Sequence, residues 1–232
     1  MRKRFGALVV LDGVDFAVGP DEAVGIVGPN GAGKTTLLNV LAGTYRPDGG
    51  RVLFRGADVT NGSAARRCRI GVGRAHQVPR PFGGMTVFEN VLVGASMGGR
   101  RRRSEAYARS IDVIELCALG ALANRRAESL GLLHRKRLEL ARALATDPAV
   151  LLLDEIGAGL TDAEASELVE TIRELRAQGV AVVWIEHIVH VLVQVIDRLV
   201  AMDAGRVIAE GAPHDVMKDA AVIDAYLGAA VG

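Results

Sequence analysis

The hydrophobic positions along the chain change texture twice. In the first quarter they fall in short runs closed by turn residues. Residues 14–18 form a β-prone run that meets Gly19-Pro20-Asp21-Glu22, and Ala23–Val27 is wholly apolar, the pattern of a buried strand. A glycine-rich loop follows, then an apolar helical run over 34–41 stopped by Gly43, then a further strand over 51–54 closed by Arg55-Gly56. From 87 to 145 the apolar residues recur at helical spacing, which predicts a helical insertion. Its last helix, over 137–145, stops at Thr146-Asp147-Pro148, because proline cannot continue an α turn.

The final third alternates strand and helix again. Residues 150–153 are all apolar, as in a central parallel strand. Thr161 and Glu164 have capping-box spacing before a helix whose apolar face is Ala165, Leu168, Val169, Ile172 and Leu175, ended by Gly179. A second apolar strand spans 180–185, and 199–202 and 207–210 flank the turn Asp203-Ala204-Gly205 as a hairpin. Such alternation predicts an α/β fold with a mainly parallel sheet. The division expected is a β-rich core from 1–77 and 146–232, with a helical subdomain over about 78–145, all in one domain.

Composition narrows the function classes. A net charge of +1 gives no overall field for nucleic acid, and the dense basic run 100–103 reads as a solvated loop or helix start. Cys68 and Cys117 have no metal-binding spacing and are too few for a disulfide framework, so they read as two reduced thiols. Met1 is not followed by an apolar leader. The most apolar stretch, 180–202, carries Glu186, His187, His190, Gln194, Asp197 and Arg198 and is no membrane span. Any work at a membrane is therefore expected from its water side.

The chemistry begins at the first loop. Gly28-Pro29-Asn30-Gly31-Ala32-Gly33-Lys34-Thr35 fits G-x-x-x-x-G-K-[ST], and Thr36 follows. Glycines let successive backbone N–H groups turn inward on phosphate oxygens at a helix N-terminus whose dipole favours anions. Lys34 is placed to reach the β and γ phosphates of ATP, and Thr35 to hold Mg²⁺. With only four lysines in the chain, a chance match is improbable, and the preceding strand and following helix supply the required context. About a hundred residues later Asp154-Glu155 closes an apolar strand, at the end of the sheet where open α/β folds bind ligands. Asp154 suits a metal-positioning role, and Glu155 the polarisation of an attacking water.

Together these residues resemble the ATPases of the ABC transporter family over nearly the whole chain. Residues 28–36 look like its Walker A segment and 150–155 like Walker B with the catalytic glutamate. The resemblance implies that Gln77, in Arg74-Ala75-His76-Gln77, contacts Mg²⁺ and senses the membrane partner. It implies that His187, after Trp184-Ile185-Glu186, contacts the γ-phosphate, and that Phe5 stacks on adenine. The implied fold is an ABC-type P-loop NTPase: RecA-like core, antiparallel β subdomain and helical subdomain.

Arg80-Pro81-Phe82, Met85-Thr86-Val87-Phe88-Glu89-Asn90-Val91, Ala158-Gly159-Leu160-Thr161, Ile185-Glu186-His187 and Ala225-Tyr226-Leu227-Gly228 resemble the ATPase subunits of branched-chain amino acid importers. Related amide importers share such motifs. The implied partners are membrane-spanning permease subunits, a second ATPase subunit (like or unlike) and a substrate-binding protein. The implied place is the cytoplasmic face of the inner or plasma membrane, held peripherally.

Two features depart from the family. The signature L-S-G-G-Q falls on Leu130-Gly131-Leu132-Leu133-His134, so Gly131 stands where a serine would donate to the γ-phosphate bound on the opposite subunit. Losing a hydrogen bond to a charged group costs about 1.5–3 kcal/mol, or roughly ten- to a hundredfold in rate if fully expressed in the transition state. Met1 also stands only four residues ahead of Phe5, where the family has a strand. Either that edge strand is absent or the true start lies upstream. Three functions follow from these readings: an import ATPase, which the intact catalytic groups favour; a nucleotide-gated regulatory clamp with little hydrolysis; and an ABC-type ATPase acting on DNA or ribosomes. The last lacks the expected coiled coil, tandem domains or basic face.

Overall fold

The computed structural model describes residues 1–99 and 101–229, so Arg100 of the basic run lies outside the described residues. Its centre is a six-stranded sheet of β3 (Ala23–Val27), β6 (Val72–Ala75), β7 (Val150–Asp154), β8 (Ala181–Ile185), β9 (Arg198–Asp203) and β10 (Arg206–Gly211). The order is β10-β9-β3-β8-β7-β6, all parallel except β10, which returns antiparallel on the edge. β3, β7 and β8 are buried along their whole length, which explains their continuous apolar runs.

Period-two geometry sorts these side chains into two cores. Leu151, Leu153, Val182 and Trp184 face one layer with Leu138 and Leu140 of α5 (Leu132–Leu144) and Leu168 and Ile172 of α6 (Asp162–Ala177). Val150, Leu152, Val183 and Ile185 face the other, with Leu37 and Leu38 of α1 (Lys34–Ala42). The expected capping box of α6 is present, with Thr161 and Glu164 bonding each other's backbone N–H, and all five predicted apolar-face residues are buried.

The N-terminal quarter differs from expectation. Arg2–Phe5 (β1) pairs antiparallel with Leu8–Asp12 (β2), so a strand does end on Phe5. Residues 14–18 join no ladder. Val14 exchanges backbone hydrogen bonds with Met1, and the Ala17 carbonyl accepts from the Arg198 guanidinium at 2.7 Å, so these groups find partners outside any strand ladder. Of the strand expected over 51–54 only Leu53–Phe54 (β4) forms, in a small hairpin with Ala57–Asp58 (β5). α2 (Ala64–Arg69) then leads into β6.

Between β6 and β7 lie α3 (Val87–Val93), a π-helical turn (Gly94–Gly98), α4 (Arg103–Leu116) and α5. A Cβ on Gly94 would stand 2.6 Å from the Arg142 carbonyl, so glycine is what lets the end of α3 pack closely against α5. α5 starts five residues before the predicted 137, because extended Gly131 serves as its N-cap. Two single 3-10 turns, Gly120–Leu122 and Ala127–Ser129, link α4 to α5, and α7 (Val189–Leu192), α8 (Pro213–Val216) and α9 (Ala220–Ala229) complete the described elements. Among the described residues no helix is long and apolar enough to cross a membrane.

Candidate functional site

The parallel strands deliver the chemistry to one edge. Ladder register sets Ala75 beside Leu153 and Asp154 beside Ile185, so Gln77, Glu155 and His187 all emerge just past the carboxyl ends of β6, β7 and β8. β3 opens into the phosphate-loop sequence on the same edge. Positive φ at Gly28 (146°), Gly31 (83°) and Gly33 (99°) bends that loop. A side chain at Gly28 would meet the Met202 carbonyl at 2.0 Å, and one at Gly33 the Val10 carbonyl at 2.7 Å. Pro29 and Thr36 are half-buried, Asn30 and Gly31 exposed, and Ala32 buried.

Lys34 is only 5% exposed, and its Nζ donates to the Gly28 carbonyl at 2.6 Å and the Pro29 carbonyl at 2.9 Å. Burial lowers its pKa, against the opposing pull of Glu155 and Asp154. A cation held on the loop's own carbonyls, beside a helix N-terminus, is the donor set a polyphosphate requires. Thr35 Oγ1 donates to Asp154 Oδ1 at 3.3 Å. A hydroxyl at the start of α1 and a buried carboxylate at the end of β7 converge here, hard oxygen donors that fit Mg²⁺.

Sequence reasoning did not single out Arg74, whose Nη2 bonds Asp154 Oδ2 at 3.0 Å while Nη1 bonds Asn39 Oδ1 at 2.7 Å. It thereby ties the Asp154 carboxylate to α1. Its position on β6, two residues from Asp154 in the adjoining ladder, was the only available signal.

Glu155 has a positive φ of 47°, rare for a residue with a side chain, and its N–H donates to the Ile185 carbonyl at 2.9 Å. Its carboxylate is bracketed: Gln77 Nε2 donates to Oε2, and His187 Nε2 lies 2.8 Å from Oε1. With Glu155 as a carboxylate, which only accepts, this bond requires the His187 tautomer that carries its proton on Nε2. Behind them Lys136 of α5, 3% exposed, donates to the Gln77 carbonyl at 3.4 Å and the Glu155 carbonyl at 3.3 Å. Glu186, 2% exposed, accepts from the Gly157 N–H at 2.6 Å, and burial raises its carboxyl pKa. Lys136 was not picked out from the sequence, and Glu186 only as part of a motif; both act through tertiary packing.

Phe5 packs edge-on against Tyr45 at a centroid distance of 5.2 Å, and both rings are partly exposed. Tyr45 lines the same cleft as Thr35, Asn39 and Asp154, although Phe5 itself does not. Gly131 is separate: among the described residues no hydrogen bond joins it to the phosphate loop. Its neighbour Leu132 instead packs 3.3 Å from where a Gly159 side chain would begin.

Residues 11–158 match the family described as ABC transporter. The chain belongs to the ABC transporter family. Residues 206–232 of this ABC transporter ATPase match a second family, described as branched-chain amino acid ATP-binding cassette transporter. The chain is 38% identical over 242 residues to the high-affinity branched-chain amino acid transport ATP-binding protein LivG of Escherichia coli strain K12, covering 98% of this chain and 95% of the relative. It is 36% identical to BraF of Pseudomonas aeruginosa, with 98% and 95% covered. Two crystal structures of ATP-binding cassettes of ABC transporters, one nucleotide-free and one in an ADP conformation, each superpose with a TM-score of 0.88. They are 32% and 33% identical and cover 97% and 98% of this ABC transporter ATPase, and 95% and 96% of their own chains.

Proposed function

We propose that this ATPase powers the import of branched-chain amino acids or closely related amides. The observation that carries the reading is the bracketing of Glu155 by Gln77 and His187 beside Lys34, in a chain similar along its full length to LivG. In this reading Gly28 and Pro29 shape the loop, the backbone N–H groups of Asn30 to Gly33 and of Thr36 cradle the phosphates, Lys34 turns to the β and γ phosphates, and Phe5 stacks on adenine. Thr35, Asp154 and Gln77 hold Mg²⁺, which offsets phosphate charge when bound. Glu155 orients the attacking water and takes up its proton, and the His187 Nε2 proton steadies that carboxylate or a phosphate oxygen.

Gly131 and the start of α5 face the nucleotide of a second ATPase subunit, through backbone N–H groups and the helix N-terminus in place of a serine. The core from 1–77 and 146–232 and the helical region from about 78–145 then move relative to each other. Their cleft runs from Thr35 to Gln77, Val78, Arg80 and Met97, and its open side receives a membrane-spanning permease subunit. The chain works peripherally, at the cytoplasmic face of the inner or plasma membrane, in a system that includes a substrate-binding protein and no nucleic acid.

Uptake of labelled leucine, isoleucine and valine by vesicles carrying the assembled transporter and internal ATP tests the assignment. ATP-dependent accumulation of these amino acids is expected. Accumulation of urea or short amides without them would overturn the substrate class.

A further inference from the structure

We propose that Tyr226 is a positioning residue for the phosphate loop, latching the C-terminal helix α9 onto Gly28. The parallel ladder between β3 and β9 ends with Val27 opposite Ala201, so the next amide, that of Gly28, has no strand partner. It donates instead to the phenolic oxygen of Tyr226 at 2.9 Å, across 198 residues of sequence. The other side of Gly28 is fixed too, since its carbonyl accepts from Lys34 Nζ at 2.6 Å. With φ at 146° and the Met202 carbonyl 2.0 Å from where a side chain would start, Gly28 has little room to move toward the sheet.

The two bonds therefore bound both soft torsions of the residue that aims Lys34. α9 can supply the phenol because it is itself anchored. Val222 is 2% exposed in the core, and the Ala221 N–H at the helix start donates to Asp219 Oδ1 at 2.8 Å. Burial raises the phenol's pKa, so the group stays neutral through the physiological range. Neighbouring Leu227 is 62% exposed, which separates the latch from general packing of the helix.

The latch holds the loop in one geometry before nucleotide arrives, so less binding energy goes into ordering it. It gives the segment 206–232 a task at the nucleotide site. The inference rests on that site binding nucleotide: the parent's affinity tests the site, and the ratio of variant to parent tests the latch.

The experiment is calorimetric titration of the full chain with ATP and Mg²⁺, for the parent, Tyr226→Phe and Leu227→Ala, with kcat and KM for ATP measured alongside. Loss of one hydrogen bond predicts a dissociation constant and KM raised at least about threefold in Tyr226→Phe. Its kcat and its melting temperature without nucleotide are expected to match the parent, and Leu227→Ala to bind ATP as the parent does. A Tyr226→Phe affinity less than about threefold weaker than the parent, or an equal loss in Leu227→Ala, would overturn the latch.

Discussion

His187 Nε2 lies 2.8 Å from Glu155 Oε1 although 32 residues separate them, because β7 and β8 are parallel neighbours in register. The same carboxylate accepts from Gln77 on its other oxygen. Three loops thus close on one acid. Removing His187 as His187→Ala leaves Lys34 and the phosphate loop untouched. ATP turnover is expected to fall about 10²- to 10⁴-fold, the usual range for a positioned proton-bearing group, with nucleotide affinity kept. Stopped-flow binding and steady-state hydrolysis on the same sample check the two halves.

Gly131 is extended, with φ −69° and ψ 172°, and a Cβ there would meet no atom within 4 Å. Gly131→Ser is therefore accommodated. As an N-cap it should add about a few tenths of a kcal/mol to stability, read from denaturant unfolding. In the assembled pair it should raise ATP turnover roughly ten- to a hundredfold, if the missing bond to the γ-phosphate limits the rate. Unchanged turnover would show that the backbone donors of α5 already suffice.

Much of this site was legible because the phosphate loop is one continuous segment whose chemistry dictates its spacing. The central strands were legible for a similar local reason: burial on both faces leaves only apolar residues. The β1–β2 hairpin was not, since Leu8 and Val9 are exposed and the run at 14–18 looked more strand-like than it folds. Arg74, Lys136 and Tyr226 were missed as functional groups because each acts on a residue far along the chain. A guanidinium on Asp154 or a phenol on Gly28 leaves no mark on local periodicity.

Arg67 shows the same limit in the core. Fully buried, it donates to the carbonyls of Val40 and Leu41 at the end of α1 and of Val59 and Thr60 beyond it. Burial lowers the guanidinium pKa, and Asp58 opposes that shift. Arg67→Ala strands four acceptors and opens a cavity, so a loss of about 3 kcal/mol or more is expected in urea unfolding. Arg67→Lys should recover part of it, since an ammonium cannot reach both pairs of carbonyls.

The two cysteines should separate cleanly. Cys117 is fully buried and its thiol is pushed up to about 12, while Cys68 is partly exposed beside the cleft. Titration of the native protein with a thiol reagent at neutral pH is expected to modify Cys68 and leave Cys117 until denaturant is added. Rapid reaction of both would contradict the packing of α4 against the core.

The central claim is that this chain hydrolyses ATP through Glu155. Its most direct test is steady-state phosphate release by the transporter assembled with its membrane subunits, with Mg²⁺, set beside the Glu155→Gln variant. The amide keeps the shape and the hydrogen bond from Gln77 but cannot take up a proton. The account predicts turnover in the parent, a fall of at least about a hundredfold in Glu155→Gln, and ATP binding preserved in both. Equal turnover by the two would remove Glu155 from the chemistry and contradict the account.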